Sequence, residues 1–301
     1  MHFTFTYALI PLIMPNSIVS PVGFNVLAWT AVMSEKLNPL TERLKTIGYD
    51  GIECFVDNTD VAVYRQFGDH LNQLGLQSTC VVVVGPDENP ASDSAKIREQ
   101  AVDFLKGVID RAHAMNASVL CGPFHSAFAT FTRREPQPDE YAHSAEVLHI
   151  VGDYAKQANI ILTPEALNRF ECYLCNTMEQ LSHLIHMADH SNVRAMFDTH
   201  HANMEEKRFP KAIQTIAPVL AHVHISENDR GTPGDGHIPW DDTFRTLAEI
   251  DYKGWMTIEA FTRNDIDFAN SINVWREYND PWDIAENGLK FIKAMQAKYA
   301  N

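Results

Sequence analysis

From Gly23 onward, short apolar runs alternate with longer amphipathic stretches, and this alternation leaves a chain of 301 residues few ways to fold. Apolar runs bounded by turn residues read as buried strands, and apolar residues at three- and four-residue spacing read as helices packed on one face. The strand candidates are residues 24–29, 51–56, 78–84, 118–122, 160–165, 193–198, 219–225 and 255–259. The clearest helices are 37–47, 95–115, 140–157, 177–190 and 283–299. The joints repeat as well: Ile47-Gly48-Tyr49-Asp50-Gly51-Ile52-Glu53 is echoed by Ile250-Asp251-Tyr252-Lys253-Gly254 with Ile258-Glu259 following. Eight such units with no Pro/Ser/Gly linker between them predict an α/β fold, a single (β/α)8 TIM barrel over residues 23–301, with residues 1–22 as an N-terminal extension. In that architecture the active-site groups come from the C-terminal ends of the strands.

Charge narrows the function classes. The formal net charge is −15, from 39 acids against 24 bases, and no Lys/Arg cluster stands out, so nucleic acid is not the expected partner. Five cysteines make an odd count without the density of a secreted disulfide scaffold, which points to a reducing, cytoplasmic setting. Cys172-Tyr173-Leu174-Cys175 has C-x-x-C spacing, yet no second Cys pair exists to close a zinc site, so it reads as two small residues near a helix start. The apolar stretch 7–14 is interrupted by Pro11 and is far shorter than the ~20 residues of a membrane span. No membrane partner is expected, and Met14 offers an alternative start that leaves residues 1–13 as an upstream extension.

A barrel reading makes a sharp demand: the interiors of the late strands should be apolar and their ends polar. Strand five ends Thr163-Pro164-Glu165, strand six ends on Asp198, strand seven carries His224, and strand eight ends Thr257-Ile258-Glu259. A lone strand-end Asp or Glu is usually a cap for the next helix; four polar ends in register are harder to explain that way. Three carboxylates gathered in a partly dry pocket repel one another unless a divalent cation holds them ionised. With oxygen ligands and one imidazole, Mn2+, Mg2+ or Co2+ fits better than a thiolate-seeking ion. Such a site keeps a net charge near −1 and favours a neutral polyhydroxy ligand.

Neighbouring residues divide into structural and functional candidates. His222 faces the same side as His224 but one layer deeper, and reads as a satisfied core histidine. The loop 226–242 carries Arg230, which is placed to reach a substrate oxygen, and its glycines do not form a dinucleotide fingerprint. Glu171 either pairs with Arg169 or faces substrate.

The segments Pro164-Glu165-Ala166-Leu167-Asn168-Arg169-Phe170-Glu171, Asp198-Thr199-His200-His201-Ala202-Asn203-Met204-Glu205-Glu206, His222-Val223-His224 with Glu227-Asn228-Asp229-Arg230, and Ile258-Glu259-Ala260-Phe261 together resemble the ketose 3-epimerases, a family of xylose-isomerase-like barrels. The likeness covers roughly residues 23–299 and is densest from 160 onward. It implies that Glu165, Asp198, His224 and Glu259 hold one divalent metal, Mn2+ first with Co2+ or Mg2+ as alternatives, and that Glu165 and Glu259 are the acid/base pair. It also implies that Glu171, His201 and Arg230 contact the sugar, and that the chain forms a homodimer or homotetramer. His200 stands where Phe is usual in that family and reads as a neighbour pointing elsewhere. Trp29 and the segment Phe124-His125-Ser126-Ala127-Phe128 match the family's far-end sugar contacts only loosely.

The chemistry so implied is metal-dependent epimerisation at C3 of a free ketose through a cis-enediolate. Removing the proton α to the C2 carbonyl and returning one on the opposite face needs two bases, one on each side. The alternatives are an aldose–ketose isomerase of the same barrel group, moving a proton between C1 and C2, and an endonuclease IV-like repair enzyme, which the charge of −15 opposes.

Overall fold

A computed structural model describes residues 20–300; the expected N-terminal extension 1–22 lies outside the described residues up to position 19, and so does the apolar stretch 7–14. Eight parallel strands run in chain order: β1 (Val22–Asn25), β2 (Gly51–Phe55), β3 (Gln77–Val81), β4 (Val119–Gly122), β5 (Ile161–Pro164), β6 (Ala195–Asp198), β7 (Leu220–Ile225) and β8 (Trp255–Ile258). Their order in the sheet, β5-β4-β3-β2-β1-β8-β7-β6, places sequential strands side by side, with β8 against β1. The ring closes between β5 and β6 through a parallel bridge from Leu162 to Val193, where Arg194 N donates to Leu162 O at 2.7 Å. This is the predicted TIM barrel.

All eight predicted strands are found, with one displaced. The first runs Val22–Asn25 where 24–29 was expected, because Asn25 Oδ1 accepts from the backbone N–H of Leu27 and turns residues 26–28 into a short 3-10 helix. An asparagine that captures its own downstream N–H offers the backbone an alternative to the ladder. Five helices, 38–47, 95–114, 138–157, 178–188 and 281–298, answer to the expected ones. Those at 61–74, 199–205, 209–216, 240–249 and 266–271 were not singled out in the sequence.

Local chemistry sets the joints that aim the strand ends. Helix 61–74 begins on Asp60, whose carboxylate accepts from Ala62 N, and ends on Gly75 at φ +65°, the left-handed cap that costs glycine least. Helix 178–188 starts with a reciprocal capping box between Thr177 and Gln180. The helices cover the outside of the sheet, and a continuous core including Phe24, Ile52, Leu120, Leu162, Phe197 and Ile258 fills the layer between. Among the described residues no helix is long and apolar enough to cross a membrane. All five cysteines are buried and unbridged, and the Cys172/Cys175 pair packs ahead of helix 178–188 as two small core residues.

Candidate active site

At the C-terminal rim of the barrel, Glu165 follows β5, Asp198 ends β6, His224 lies within β7 and Glu259 follows β8. One ligand atom from each of the four lies within 4.8 Å of the others, and all four side chains are buried. The fold therefore brings together the four groups that were read from the strand ends.

Asp198 does two jobs. Its Oδ1 caps the short helix 199–205 by accepting from His200 N at 2.6 Å and His201 N at 3.0 Å, the role an ordinary strand-end acid plays. Its Oδ2 turns inward, accepting from Ser226 Oγ and Arg230 Nη1, each at 3.0 Å. Thr199 pins this geometry by donating to Ser226 O at 2.7 Å while accepting from Ser226 N.

Arg230 is the cation of the cluster. Its Nη1 donates to Glu259 Oε2 at 2.7 Å as well as to Asp198, and its Cζ stands 4.8 Å from the Phe261 ring centroid. The loop that carries it is anchored by Glu227, a buried carboxylate accepting from Gly234 N, Ile238 N and Trp240 Nε1. Arg169 pairs bidentately with Glu205, at 2.9 and 2.8 Å, which settles Glu171 as a cavity-facing residue held by Asn168 Nδ2 at 2.8 Å.

Charge is crowded here. Burial opposes protonation of His224, but Glu259 and Glu53 raise its pKa well above the usual value, and burial together with Asp198 and Glu259 pushes the Glu165 carboxyl well above its usual range. Burial works against ionisation of Asp198 too, but Arg230 and His201 hold it well below the usual carboxylate range. Glu165 Oε1 and His224 Nδ1 are buried without a hydrogen-bond partner. The nearest groups to that imidazole nitrogen are Glu259 Oε2 at 3.3 Å and Asp198 Oδ2 at 3.5 Å. Orphaned buried polar atoms facing a cluster of acids fit a divalent cation, whose charge would satisfy both.

His201 is buried, and burial holds it well below its usual pKa, so it is neutral. Its Nδ1 stands 3.2 Å from the backbone N of Asn168, and its Nε2 stands 2.9 Å from Arg230 Nη2, a guanidinium donor, and 3.6 Å from Glu165 Oε1. The imidazole and the guanidinium thus lie side by side at the cavity wall.

The cavity above these groups has a volume of about 720 Å³. Glu165, Glu171, His201, Arg230 and Glu259 line its floor, and residues such as Phe55, Val81, Phe128 and Phe268 form an apolar wall. His200 lines the same cavity, with a ring nitrogen within 4.8 Å of ligand atoms of Glu171 and His201, so it does not point elsewhere as its sequence position suggested. Phe128 is the one member of the 124–128 segment on the wall; Trp29 instead packs between Phe24 and Trp282.

A second buried set lies beneath the rim and was missed in the sequence. Glu53 on β2, fully enclosed, meets His224 Nε2 at 2.8 Å and His222 Nε2 at 2.9 Å, the latter out of line with the ring N–H. Asn25, Thr79 and Cys121 also donate to it. Burial opposes its charge, yet His224 and His222 hold it well below the usual carboxylate range. His222 is thus one layer below His224, as the alternation predicts, but it is not the satisfied core histidine expected, since neither ring nitrogen has a hydrogen-bond partner. The available signal was register: Asn25, Glu53 and Thr79 are direct partners across β1, β2 and β3, three polar residues at one level of an apolar sheet.

Comparison with known proteins agrees with this geometry. The xylose isomerase-like TIM barrel profile matches residues 41–298. A D-psicose 3-epimerase of Agrobacterium fabrum is 28% identical, with 86% of this chain and 91% of that protein aligned. A D-psicose 3-epimerase of Ruminiclostridium cellulolyticum is 30% identical over 80% of this chain and 84% of its own length. The crystal structure of a Methylomonas sp. D-allulose 3-epimerase superposes with a TM-score of 0.85 at 26% identity, covering 92% of this chain and 98% of that one.

Proposed function

This chain belongs to the ketose 3-epimerases of the xylose isomerase-like TIM barrel family, and from that premise we propose that it epimerises C3 of a free ketose with the help of one divalent metal ion. The observation that carries the reading is the convergence of three carboxylates and one imidazole at the ends of β5 to β8, two of their buried atoms unpartnered, on the floor of a cavity. Glu165, Asp198, His224 and Glu259 would hold the ion, with Mn2+ the first choice for this donor set and Co2+ or Mg2+ next. When bound it supplies Lewis-acid polarisation of the ketose carbonyl.

The protein's own groups do the rest. Glu165 and Glu259 come from strands separated by β6 and β7, so they approach a bound sugar from different sides. One takes the C3 proton and the other returns a proton to the opposite face; the roles exchange with the direction of reaction. His201 and Arg230 contact the sugar's oxygens, and Glu171 accepts from a hydroxyl nearby. The apolar wall excludes water from the planar intermediate. The protein acts in the cytoplasm as a homodimer or homotetramer.

The test is turnover of C3-epimer pairs in D2O after chelation and reloading with Mn2+, Co2+ or Mg2+. Deuterium at C3 is expected. Deuterium at C1 or C2 would make the chain an aldose–ketose isomerase, and no turnover of any pair would end the epimerase reading.

A further inference from the structure

The lower layer of polar side chains bears on how the rim is built. Four groups hydrogen-bond to Glu53, Asn25 Nδ2 at 3.0 Å and His224 Nε2 at 2.8 Å on Oε1, Thr79 Oγ1 at 2.9 Å and Cys121 Sγ at 3.3 Å on Oε2, and His222 Nε2 stands 2.9 Å from Oε2 out of line. The Asn25 amide cannot be reversed, because its Oδ1 accepts from Leu27 N at 3.0 Å. With Asn25 Nδ2, Thr79 Oγ1 and Cys121 Sγ donating to it, Glu53 is satisfied as an ionised acceptor, and its contact with His224 is then made by an Nε2–H. In the neutral ring that a metal would require, the lone pair falls on Nδ1, which faces Asp198 and Glu259. Asn25 Nδ2 also reaches Glu259 Oε1 at 3.3 Å, so the same brace touches a second rim residue.

We propose that Glu53 is a positioning residue for the metal centre: buried below the rim, it fixes the tautomer and orientation of His224 so that Nδ1 is presented to the divalent ion. This rests on the metal reading of His224 made above. A ligating imidazole whose far nitrogen is held by a carboxylate binds more tightly, and loss of such a partner lowers metal affinity about 10–100-fold.

The experiment measures Mn2+ affinity by competition with a chromophoric chelator for wild type, Glu53→Gln and His224→Gln, together with long-range 1H–15N spectra of histidine-labelled wild type loaded with Mg2+. Glu53→Gln should bind Mn2+ about 10–100-fold more weakly while its circular dichroism stays that of wild type. His224 should show the Nε2–H tautomer. An Nδ1–H tautomer overturns the proposal, as does a folded Glu53→Gln with wild-type affinity beside a weakened His224→Gln. If His224→Gln also binds as wild type, the metal role of His224 falls and the proposal with it. Should Glu53→Gln fail to fold, the wild-type tautomer alone decides.

Discussion

The barrel holds two layers of buried carboxylates that differ in how they are satisfied. Below the rim, Glu53 is surrounded by donors on both oxygens, and Glu227, beyond the end of β7 in the loop of Arg230, accepts four hydrogen bonds. On the rim, Glu165 keeps an oxygen with no partner, and its neighbours are acids. Glu53 is braced from β1, β3, β4 and β7, whereas Glu165 stands among acids at the ends of the late strands with an oxygen unpaired, a condition that costs a buried polar group about 1–3 kcal/mol.

The widest separation between the two layers should appear in catalysis. Glu165→Gln and Glu259→Gln should each lower kcat by about 10²- to 10⁴-fold, the usual weight of a positioned acid or base. C3 proton exchange in D2O would report it; near-normal exchange in either variant would rule out the two-base scheme. Stability should answer in reverse. Glu227→Ala leaves the buried Ile238 N and Trp240 Nε1 without their acceptor, frees the exposed Gly234 N, and should cost about 2–4 kcal/mol in urea unfolding.

A pH series sharpens the contrast, because the shifts have opposite signs. Glu165 has a folded pKa raised above its unfolded value, so in the metal-free protein its contribution is intact at low pH and is lost as pH rises through the folded value. Glu165→Gln should therefore melt higher than metal-free wild type at neutral pH, and the advantage should fade on acidification. Glu140, a buried acid at the start of helix 138–157, runs the other way. Burial opposes its charge, but Tyr173, the Gln137 backbone and Arg134 lower its folded pKa. Its stabilisation is present above the unfolded carboxylate value and is lost as pH falls through the folded one. Glu140→Gln should melt lower than wild type at neutral pH, with the deficit closing in acid. Deficits of the same sign for both variants would break the distinction.

The same division explains what could be read from the sequence. Glu165, Asp198, His224 and Glu259 interrupt apolar runs at the ends of strands, where periodicity makes a polar residue conspicuous. Glu53 sits inside a strand, and its role depends on Asn25, Thr79 and Cys121 from three other strands, which only register brings level. Of the helices not singled out, 61–74 carries Gly68 against the Met115 backbone and a polar outer face, while 209–216 and 199–205 run only eight and seven residues. Asp198 was legible as a site because it ends an apolar strand, though half of its hydrogen bonding is ordinary capping.

His200 offers the smallest and most discriminating change. It lies on the cavity wall, its ring centroid is 5.2 Å from that of His201, and Nδ1 is 3.2 Å from Glu227 O. Burial pushes its pKa down to about 4, so the ring is uncharged across the neutral range. His200→Phe keeps the ring contact and forfeits one hydrogen bond to a backbone carbonyl, worth about 1 kcal/mol. The expectation is a KM change of less than about tenfold, an unchanged kcat and a pH–rate profile that superposes on wild type above pH ~5. His201→Ala, by contrast, removes the imidazole that stands 2.9 Å from Arg230 Nη2 and should lower kcat as well as raise KM. If His200→Phe moved kcat or the profile as His201→Ala does, His200 would belong with the rim's working groups, and the line between braced and unsatisfied residues would have to be redrawn to include it.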